Sequence, residues 1–414
     1  MPAGTAETLP RALEHPLPAG MRDLLPEEAA ERRALARAIL NLVALHGYAV
    51  VTLPVFEFAE VLERGLGHLD PADVLRFVEP ESGEVAALRP DMTPQIARVV
   101  ATRLRGRPAP FRLAYEGTVV RRRSGRARKH KQIPQVGAEL AGVAGPDGDL
   151  ELLALTADSL RAAGLERFTI DVGDAGIVRA LLAPYGPEER AALSEAMARK
   201  DAAGVPDAVL RETLSLVGGR EALVEGTRLL ARTAAASAAV RLLALFDAAV
   251  ARGLGAHIVA DLGEVRGFAY YTGAMFHAYA KGTGDAIGSG GRYDELLARF
   301  GFDVPAAGFA LDLDRVREAR IAAGIADRPS RRVAVVKGEA SERRLSELRS
   351  RGVVAVLAPG SRSEALSWAF AWGFSHLLDG EEWVDPKTGD TMPSPEERVQ
   401  ESSGSEGAAE RGTP

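Results

Sequence analysis

Two apolar, β-prone segments flank a strongly basic stretch between Phe111 and Leu140, FRLAYEGTVVRRRSGRARKHKQIPQVGAEL. The basic part, residues 121–131, carries seven Lys and Arg side chains and no acidic one. On the returning segment Gln135 and Glu139 are four residues apart, and an even spacing puts both side chains on one face of a strand. The stretch therefore predicts a β-hairpin with a basic loop at its tip and a polar wall on its second strand.

Composition limits the classes of protein to consider. The chain has 414 residues, 46% of them hydrophobic and 26% charged, which is ordinary for a globular protein of two or three domains. A net charge of −6 argues against a chain coated by nucleic acid, although a local basic patch can bind phosphates. The absence of cysteine excludes disulfides, a thiolate nucleophile and a Cys-ligated metal. With no signal-peptide pattern and no long apolar run, we expect a cytoplasmic protein without a membrane span.

Patterns along the chain divide it into regions. Helical spacing with proline and acids in the first turn predicts a helix from Pro26 toward Gly47. Alanine- and leucine-rich helical periodicity between 176 and 254 indicates a helical insert, either a cap or an interaction surface. The predicted domains are a flexible 1–16, a core of 17–175 and 255–325, the insert 176–254, a small βαβα-type domain 331–393 and a disordered tail 394–414.

Two local predictions concern strands and turns. The Val- and Thr-rich segment Tyr48 to Val55 predicts a strand. The glycine-rich segment GTGDAIGSGGRYDELLARFG, which begins at Gly282, predicts a turn that leads into a helix.

Polar side chains recur where apolar patterning does not require them. Carboxylates, an amide, an arginine and phenols in one pocket suit a zwitterionic amino acid, whose ammonium binds carboxylates and whose carboxylate binds arginine. The alternative is that each acid is a solvated charge at a strand end or half of an internal ion pair. The residues concerned are Arg89, Asp91, Thr93, Gln135, Glu139, Arg266, Tyr270 and Tyr271.

Six phrases stand in a fixed order within about residues 17–320: AGMRDLLP, LRPDMTPQIAR, FRLAYEG with QIPQVGAEL, VRGFAYYTG, GSGGRYDELL and AAGFALDLDRV. In this order they resemble the catalytic core of histidyl-tRNA synthetases. They resemble more closely a paralogous family, the regulatory subunits of ATP phosphoribosyltransferase, to which LRPDMTPQIAR is similar as a whole phrase. The resemblance implies an α+β fold of class II synthetase type, with a mixed, mostly antiparallel sheet flanked by helices, and usually a dimer.

The resemblance also implies roles for individual residues. Asp91 stands where the synthetases have glutamate, so the charge that binds an ammonium is kept on a side chain one methylene shorter. The residues that match the histidine-binding set are Asp91, Met92, Thr93, Arg121, Gln135, Glu139, Arg266, Tyr270 and Tyr271.

The ATP half of the implied site is altered. Arg121 and Arg315 match two arginines that hold phosphates, so a residual phosphate site is expected. Arg123 stands where the synthetases have an acid, Ile133 replaces an aromatic ring, and Asp312 replaces a glycine. Three departures around one substrate imply that adenylation is lost, and we expect no catalytic residue, no cofactor and no metal site.

The C-terminal region is shorter than the anticodon-binding domain that the resemblance leads one to expect, and it is poor in basic and aromatic residues, so tRNA binding is not expected. The implied function is a non-catalytic regulatory subunit in the first step of histidine biosynthesis. Its partners would be a short-form catalytic subunit of ATP phosphoribosyltransferase, a second copy of this chain and histidine.

Two other functions remain open at this point. One is an active histidine–tRNA ligase with a reduced C-terminal domain, and the other is an amino-acid-sensing or tRNA-binding module for a different partner. The basic loop is a solvated surface, a phosphate-binding loop or a contact for acids on a partner, and the residues do not choose between these.

Overall fold

The computed structural model describes residues 17–65, 73–122, 130–266, 271–325 and 332–394. The chain divides into two compact units, Met1–Ile325 and Ala326–Pro414. Within the described ranges no helix combines the length and apolar character that crossing a membrane requires.

The first unit contains most of the strands and helices. Its strands are β1 (Ala49–Val50), β2 (Phe56–Phe58), β3 (Arg76–Val78), β4 (Val85–Leu88), β5 (Phe111–Val120), β6 (Gln132–Ala141), β7 (Thr169–Asp174), β8 (Val217–Gly218), β9 (Ile258–Asp261), β10 (Ala274–Tyr279), β11 (Gly288–Arg292) and β12 (Ala306–Asp312). Its helices are α1 (Pro26–Leu45), α2 (Ala59–Gly65), α3 (Thr93–Thr102), α4 (Gly145–Ala162), α5 (Ala175–Leu182), α6 (Pro187–Ala198), α7 (Ala208–Ser215), α8 (Arg220–Leu230), α9 (Ala236–Ala251) and α10 (Leu313–Ala322).

The main sheet has nine strands among the described residues, in the order β1-β5-β6-β12-β11-β10-β7-β9-β8. Only the β1–β5 and β7–β9 pairs are parallel. A separate three-stranded sheet has the order β2-β4-β3. The mixed, mostly antiparallel sheet with flanking helices that the sequence predicted is confirmed.

The β5–β6 hairpin lies near one end of the main sheet. Its ten residue pairs run from Phe111 opposite Ala141 to Val120 opposite Gln132, which confirms the predicted hairpin. The predicted strand from Tyr48 to Val55 is wrong in extent, because only two residues of that segment, Ala49 and Val50 of β1, form a strand paired with β5. Beyond it the carbonyl oxygens of Leu53 and Pro54 accept hydrogen bonds from the Arg89 guanidinium instead of from a strand.

The two faces of the main sheet differ in chemistry. One face packs against α1, α4 and α9, and β6 contributes to it with Val136, Ala138 and Leu140. On the opposite face Gln135 and Glu139 lie side by side, as their spacing predicted, across from Asp312 and Gly308 of β12. The polar residues of the hairpin therefore share the face opposite the main core, where Ile133 and Ala141 of the same strand pack in a second hydrophobic cluster.

The glycine-rich segment begins with a turn, as predicted, but its next part is a strand that the sequence did not predict. It forms β11, between β10 and β12. A Cβ atom at Gly290 would lie 2.5 Å from the carbonyl oxygen of Gly308 and 2.5 Å from the Phe276 ring, so only glycine fits. The predicted helix after it is a single 3-10 turn, Leu297–Phe300. Glycine usually weakens strands, and here it marks a place where backbones approach closely.

Residues 176–254 are helical apart from β8, which adds to the edge of the main sheet beside β9. Side chains of α5, α6 and α7 form a hydrophobic cluster of their own, and α8 and α9 join the main core. The segment 176–254 therefore packs partly on the main sheet, through β8, α8 and α9, and partly on itself.

The second unit has the predicted βαβα order. It consists of β13 (Arg332–Val335), α11 (Ser341–Ser350), β14 (Val354–Leu357), α12 (Arg362–Ala371), β15 (His376–Asp379) and β16 (Glu382–Val384). The strand order is β14-β13-β15-β16, and only β15–β16 is antiparallel. A bridge from Val384 to Thr391 closes a short terminal hairpin, as predicted.

Candidate functional site

A cavity of about 300 Å³ lies over the polar face of the main sheet. Its floor is formed by small residues of β11 and β12, among them Ser289, Gly308 and Ala310. The absence of large side chains leaves room for a small ligand to lie against the backbone. The charged and polar residues that line the cavity are Asp91, Thr93, Arg121, Gln135, Arg266, Tyr271, His277, Asp285, Ser289, Tyr293 and Asp312.

The structure brings most of the predicted ligand-binding residues together. Glu139 lies just below the lining, in contact with Thr93. Met92 differs from the prediction: its side chain is fully buried among the apolar residues that pack on α3, because it belongs to the turn that starts this helix. Tyr270 lies outside the described residues. The predicted residues that line the cavity are Asp91, Thr93, Arg121, Gln135, Arg266 and Tyr271.

Glu139 provides a buried acceptor at one end of the cavity. Thr93 Oγ1 donates to Glu139 Oε1 at 2.7 Å, and the Tyr115 hydroxyl lies 3.3 Å from the same oxygen. Oε2 of Glu139 and Oε1 of Gln135 are buried without a hydrogen-bond partner. Burial, together with the nearby charge of Asp91, raises the pKa of the Glu139 carboxyl well above its usual range. Two unsatisfied acceptors call for a ligand that brings N–H donors.

Asp91 is held at the start of α3. Its Oδ1 accepts a hydrogen bond from the backbone N–H of Met92 at 2.7 Å. Its Oδ2 lies 3.5 Å from Nη2 of Arg121, whose Nε donates to the carbonyl oxygen of Pro90 at 2.6 Å. A carboxylate fixed in this way beside the cavity can bind an ammonium group without further ordering.

Arg266 provides a guanidinium at the other end of the cavity, where it is paired with the buried carboxylate of Glu264. Its Nε donates to Glu264 Oε1 at 2.9 Å, and its guanidinium also bonds the Tyr279 hydroxyl and lies 5.6 Å from the centre of that ring. Because a guanidinium has five donors in a planar fork, Arg266 can bind a ligand carboxylate while it keeps contacts with Glu264.

Several cavity residues were not predicted from the sequence. Tyr115 is buried below Glu139, and His277, Asp285, Ser289 and Tyr293 line the cavity. His277 and Ser289 lie opposite each other on β10 and β11, so the assignment of β11 as a strand would have revealed them. Burial lowers the pKa of His277 to about 4, and its Nδ1 has no hydrogen-bond partner.

This lowered pKa predicts an acid-dependent loss of stability. The folded protein disfavours the protonated imidazole, so His277 costs stability as the pH falls from about 6.5 toward about 4, by up to about 1.4 kcal/mol per pH unit. His277→Gln should therefore flatten the pH dependence of the free energy of unfolding in that window and change little above pH 7. Urea unfolding of both proteins across this range tests it, since other titrating groups cancel in the difference. Parallel curves would contradict it.

A second cavity of about 400 Å³ shares Asp285 and Asp312 with the first. It contains Arg315 of the predicted phosphate site, whereas Arg121 lines the first cavity only. Nη2 of Arg315 donates to Asp285 Oδ2 at 2.9 Å, and its Nε lies 3.5 Å from Asp312 Oδ2. Asp312 also caps α10, because its Oδ1 accepts from the backbone N–H of Asp314 at 3.1 Å. The charge of Arg315 is thus neutralised inside the protein.

The other arginines of this second cavity are also paired with acids. Arg22 donates to Glu28 at 2.7 Å and to Asp314 at 2.9 Å, and Arg317 contacts Glu28 and Glu31. Its acids, Glu28, Asp285, Asp312, Asp314 and Glu318, outnumber its arginines, Arg22, Arg315 and Arg317. A polyphosphate would therefore meet net negative charge.

The aromatic platform for a nucleotide base is missing at the position the sequence singled out. The Ile133 side chain is buried in the core beside α3 and offers no stacking surface. Arg123 lies outside the described residues. In the ranges that the structure covers, no group of three or more His, Asp or Glu side chains is placed to hold a metal ion.

Comparisons with known proteins agree with this picture. The family model of histidyl-tRNA synthetase matches residues 20–316. An ATP phosphoribosyltransferase regulatory subunit from Moorella thermoacetica is 39% identical over 88% of this chain and 98% of its own length. A protein of the same name from Anaeromyxobacter sp. Fw109-5 is 43% identical over 77% of this chain and 97% of its own.

Solved structures show the same fold. An ATP phosphoribosyltransferase regulatory subunit/histidyl-tRNA synthetase from Bacillus halodurans superposes with a TM-score of 0.77 at 28% identity, over 90% of this chain and 99% of the other. Histidyl-tRNA synthetase from Nostoc sp. PCC 7120 superposes with a TM-score of 0.76 at 19% identity, over 94% and 99% of the two chains, and supports the fold alone.

Proposed function

This chain belongs to the histidyl-tRNA synthetase-like family of ATP phosphoribosyltransferase regulatory subunits, and on that premise we propose that it activates a short catalytic subunit and makes it sensitive to histidine. A regulatory subunit that is not itself the catalyst agrees with the names of its relatives. The proposal adds the identity of the partner and the feedback ligand.

The contrast between the two cavities carries this proposal. The first cavity keeps carboxylates, an amide and an arginine around a space of about 300 Å³, which suits a free amino acid. Its unpaired acceptors, Glu139 Oε2 and Gln135 Oε1, suit the ammonium and imidazole N–H groups of histidine. In the second cavity the arginines that would bind phosphates are occupied by acids of the same chain. Histidine can therefore bind without being activated.

Feedback then requires that histidine binds one state of the complex more tightly than another. A ligand with equal affinity for both states shifts no equilibrium, however tightly it binds. We propose a hetero-oligomer, built on a self-dimer of this chain, whose less active state binds histidine better. The cytoplasm is the proposed location.

Reconstitution with a short-form catalytic subunit tests the function. We expect ATP phosphoribosyltransferase activity only when both chains are present, and inhibition by histidine that weakens when Gln135 or Arg266 is replaced by alanine. Copurification of the two chains provides the independent check of assembly. A catalytic subunit that is equally active and equally inhibited alone would overturn the proposal.

Histidine-dependent exchange between ATP and pyrophosphate separates this function from that of a histidine–tRNA ligase. We expect no exchange above background from the isolated chain, and none from Asp312→Gly, because Asp285 still neutralises Arg315 in that variant. An active histidyl-tRNA synthetase assayed in parallel is the positive control. Robust exchange by the wild-type chain would establish the ligase instead.

A further inference from the structure

The turn that carries Arg266 packs against helices of the segment 176–254. Val265 is 5% exposed and packs within the hydrophobic cluster of α5, α6 and α7. A Cβ atom at Gly263 would lie 2.8 Å from the Cα atom of Leu214 in α7, so the turn lies directly on that helix. The backbone N–H of Leu262 donates to the carbonyl oxygen of Leu216 at 3.2 Å. The residues just before Arg266 are thus fixed by the helical segment.

An ion pair adds a second attachment at the start of this turn. Nζ of Lys200, which follows α6, donates to Oδ1 of Asp261 at 2.6 Å, and the same oxygen accepts from the backbone N–H of Gly263 at 3.0 Å. The Asp261 side chain is only 6% exposed. Among the described residues Lys200 is the only one other than glycine with a positive φ, 54°. This conformation ends α6, because the backbone N–H groups of Lys200 and Asp201 donate to the carbonyl oxygens of Met197 and Ala196, both at 2.9 Å.

Arg266 itself points from this turn into the amino-acid cavity. Its guanidinium and its backbone N–H both donate to Glu264, whose side chain is 5% exposed. A ligand carboxylate that reaches Arg266 shares it with this buried carboxylate, so the position of the turn sets where the guanidinium meets the ligand. Because the turn is packed on α6 and α7, the position of Arg266 depends on these helices.

We propose that residues 187–215 position Arg266 through Lys200 and the turn 261–265, so that recognition of the ligand carboxylate and the packing of α6 and α7 are linked. The inference rests on the proposed function, and it adds a route by which ligand binding in the cavity changes the packing of α6 and α7. Linkage is reciprocal. If a partner subunit binds α6 and α7 and changes the affinity of the pocket for carboxylate ligands, those ligands change the affinity for the partner by the same factor.

The test compares histidine with histidinol, which has the same imidazole and amine but no carboxylate. Calorimetry of Lys200→Met should show histidine binding weakened about tenfold and histidinol binding changed less than twofold. Arg199→Met is the matched control, since Arg199 is adjacent and exposed and, within the part of the chain that the structure describes, its ion pair is with Glu195 of α6; it should change neither. Lys200→Arg should keep the wild-type affinity, and Lys200→Gly, which accepts the positive φ, should behave as Lys200→Met.

Hydrogen exchange supplies the second measurement. Saturating histidine should slow exchange of α6 and α7 in the wild-type chain, histidinol should not, and Lys200→Met should lose the response. Equal losses of both ligands in Lys200→Met, or unchanged exchange of these helices in wild type with bound histidine, would overturn this inference alone. A wild-type chain that binds no histidine would overturn the proposed function, and this inference with it.

Discussion

Glu139→Gln is expected to weaken histidine binding by roughly a hundredfold, because hydrogen bonds to a charged group contribute about 1.5–3 kcal/mol. Oε2 of Glu139 is buried without a hydrogen-bond partner. In the glutamine variant an amide N–H group can occupy this position, and it cannot accept a hydrogen bond from the ligand. In the empty pocket burial raises the pKa of the Glu139 carboxyl and so disfavours its charged form, whereas a bound ammonium would favour that form. Glutamine should therefore leave folding unchanged, and calorimetry with histidine measures the loss.

Glu116→Gln provides the control for that substitution. Glu116 is an exposed residue of β5, the strand that pairs with the Glu139-bearing strand, so the same chemical change is made outside the cavity. We expect its affinity for histidine to match wild type. If Glu139→Gln bound histidine within threefold of wild type, the assignment of Glu139 to the ligand would be wrong.

Gly290→Ala is expected to lower the free energy of unfolding by about 3 kcal/mol, the upper part of the range for overpacking a core. The added methyl group would meet the backbone oxygen of Gly308 and the ring of Phe276, both at 2.5 Å, and a backbone oxygen in a paired strand cannot move aside. Urea unfolding at neutral pH measures the change, and the midpoint should shift without a change in slope.

Gly284→Ala is the matched control for this prediction. Gly284 precedes the same strand, and a Cβ atom there would have no neighbour within 4 Å. Its stability should stay within about 0.5 kcal/mol of wild type, as for most surface substitutions. Equal stability of the Gly290 and Gly284 variants would show that β11 tolerates a side chain at residue 290.

The sequence was sufficient where the signal is local. The spacing of Gln135 and Glu139 predicted a shared strand face, and helical periodicity predicted α1 to within a few residues. β11 was missed because glycine usually marks turns, and its three glycines reflect close approach of neighbouring backbones, which no single segment reveals. With β11 missed, His277 and Ser289 could not be placed in the cavity.

Ion pairs between residues that are far apart in the sequence could not be predicted either. Arg315 was predicted as a phosphate ligand, but its partner Asp285 is 30 residues away, and no pattern in the sequence couples the two. The same holds for Lys200 and Asp261, which are 61 residues apart. Such contacts depend on how helices and strands pack. The sequence therefore predicted which residues are charged and near the site, but not which of them are paired with each other.

The ion pairs around Arg315 also bear on how this chain can evolve. Removing Asp312 alone would take the cap from α10, at a cost of about 1 kcal/mol, and Arg315 would still be neutralised by Asp285. Removing Asp285 alone would leave Arg315 paired with Asp312. No single substitution of an acid therefore frees this arginine for a phosphate, and both Asp285 and Asp312 must be replaced. The paired state of Arg315 is thus protected against single substitutions.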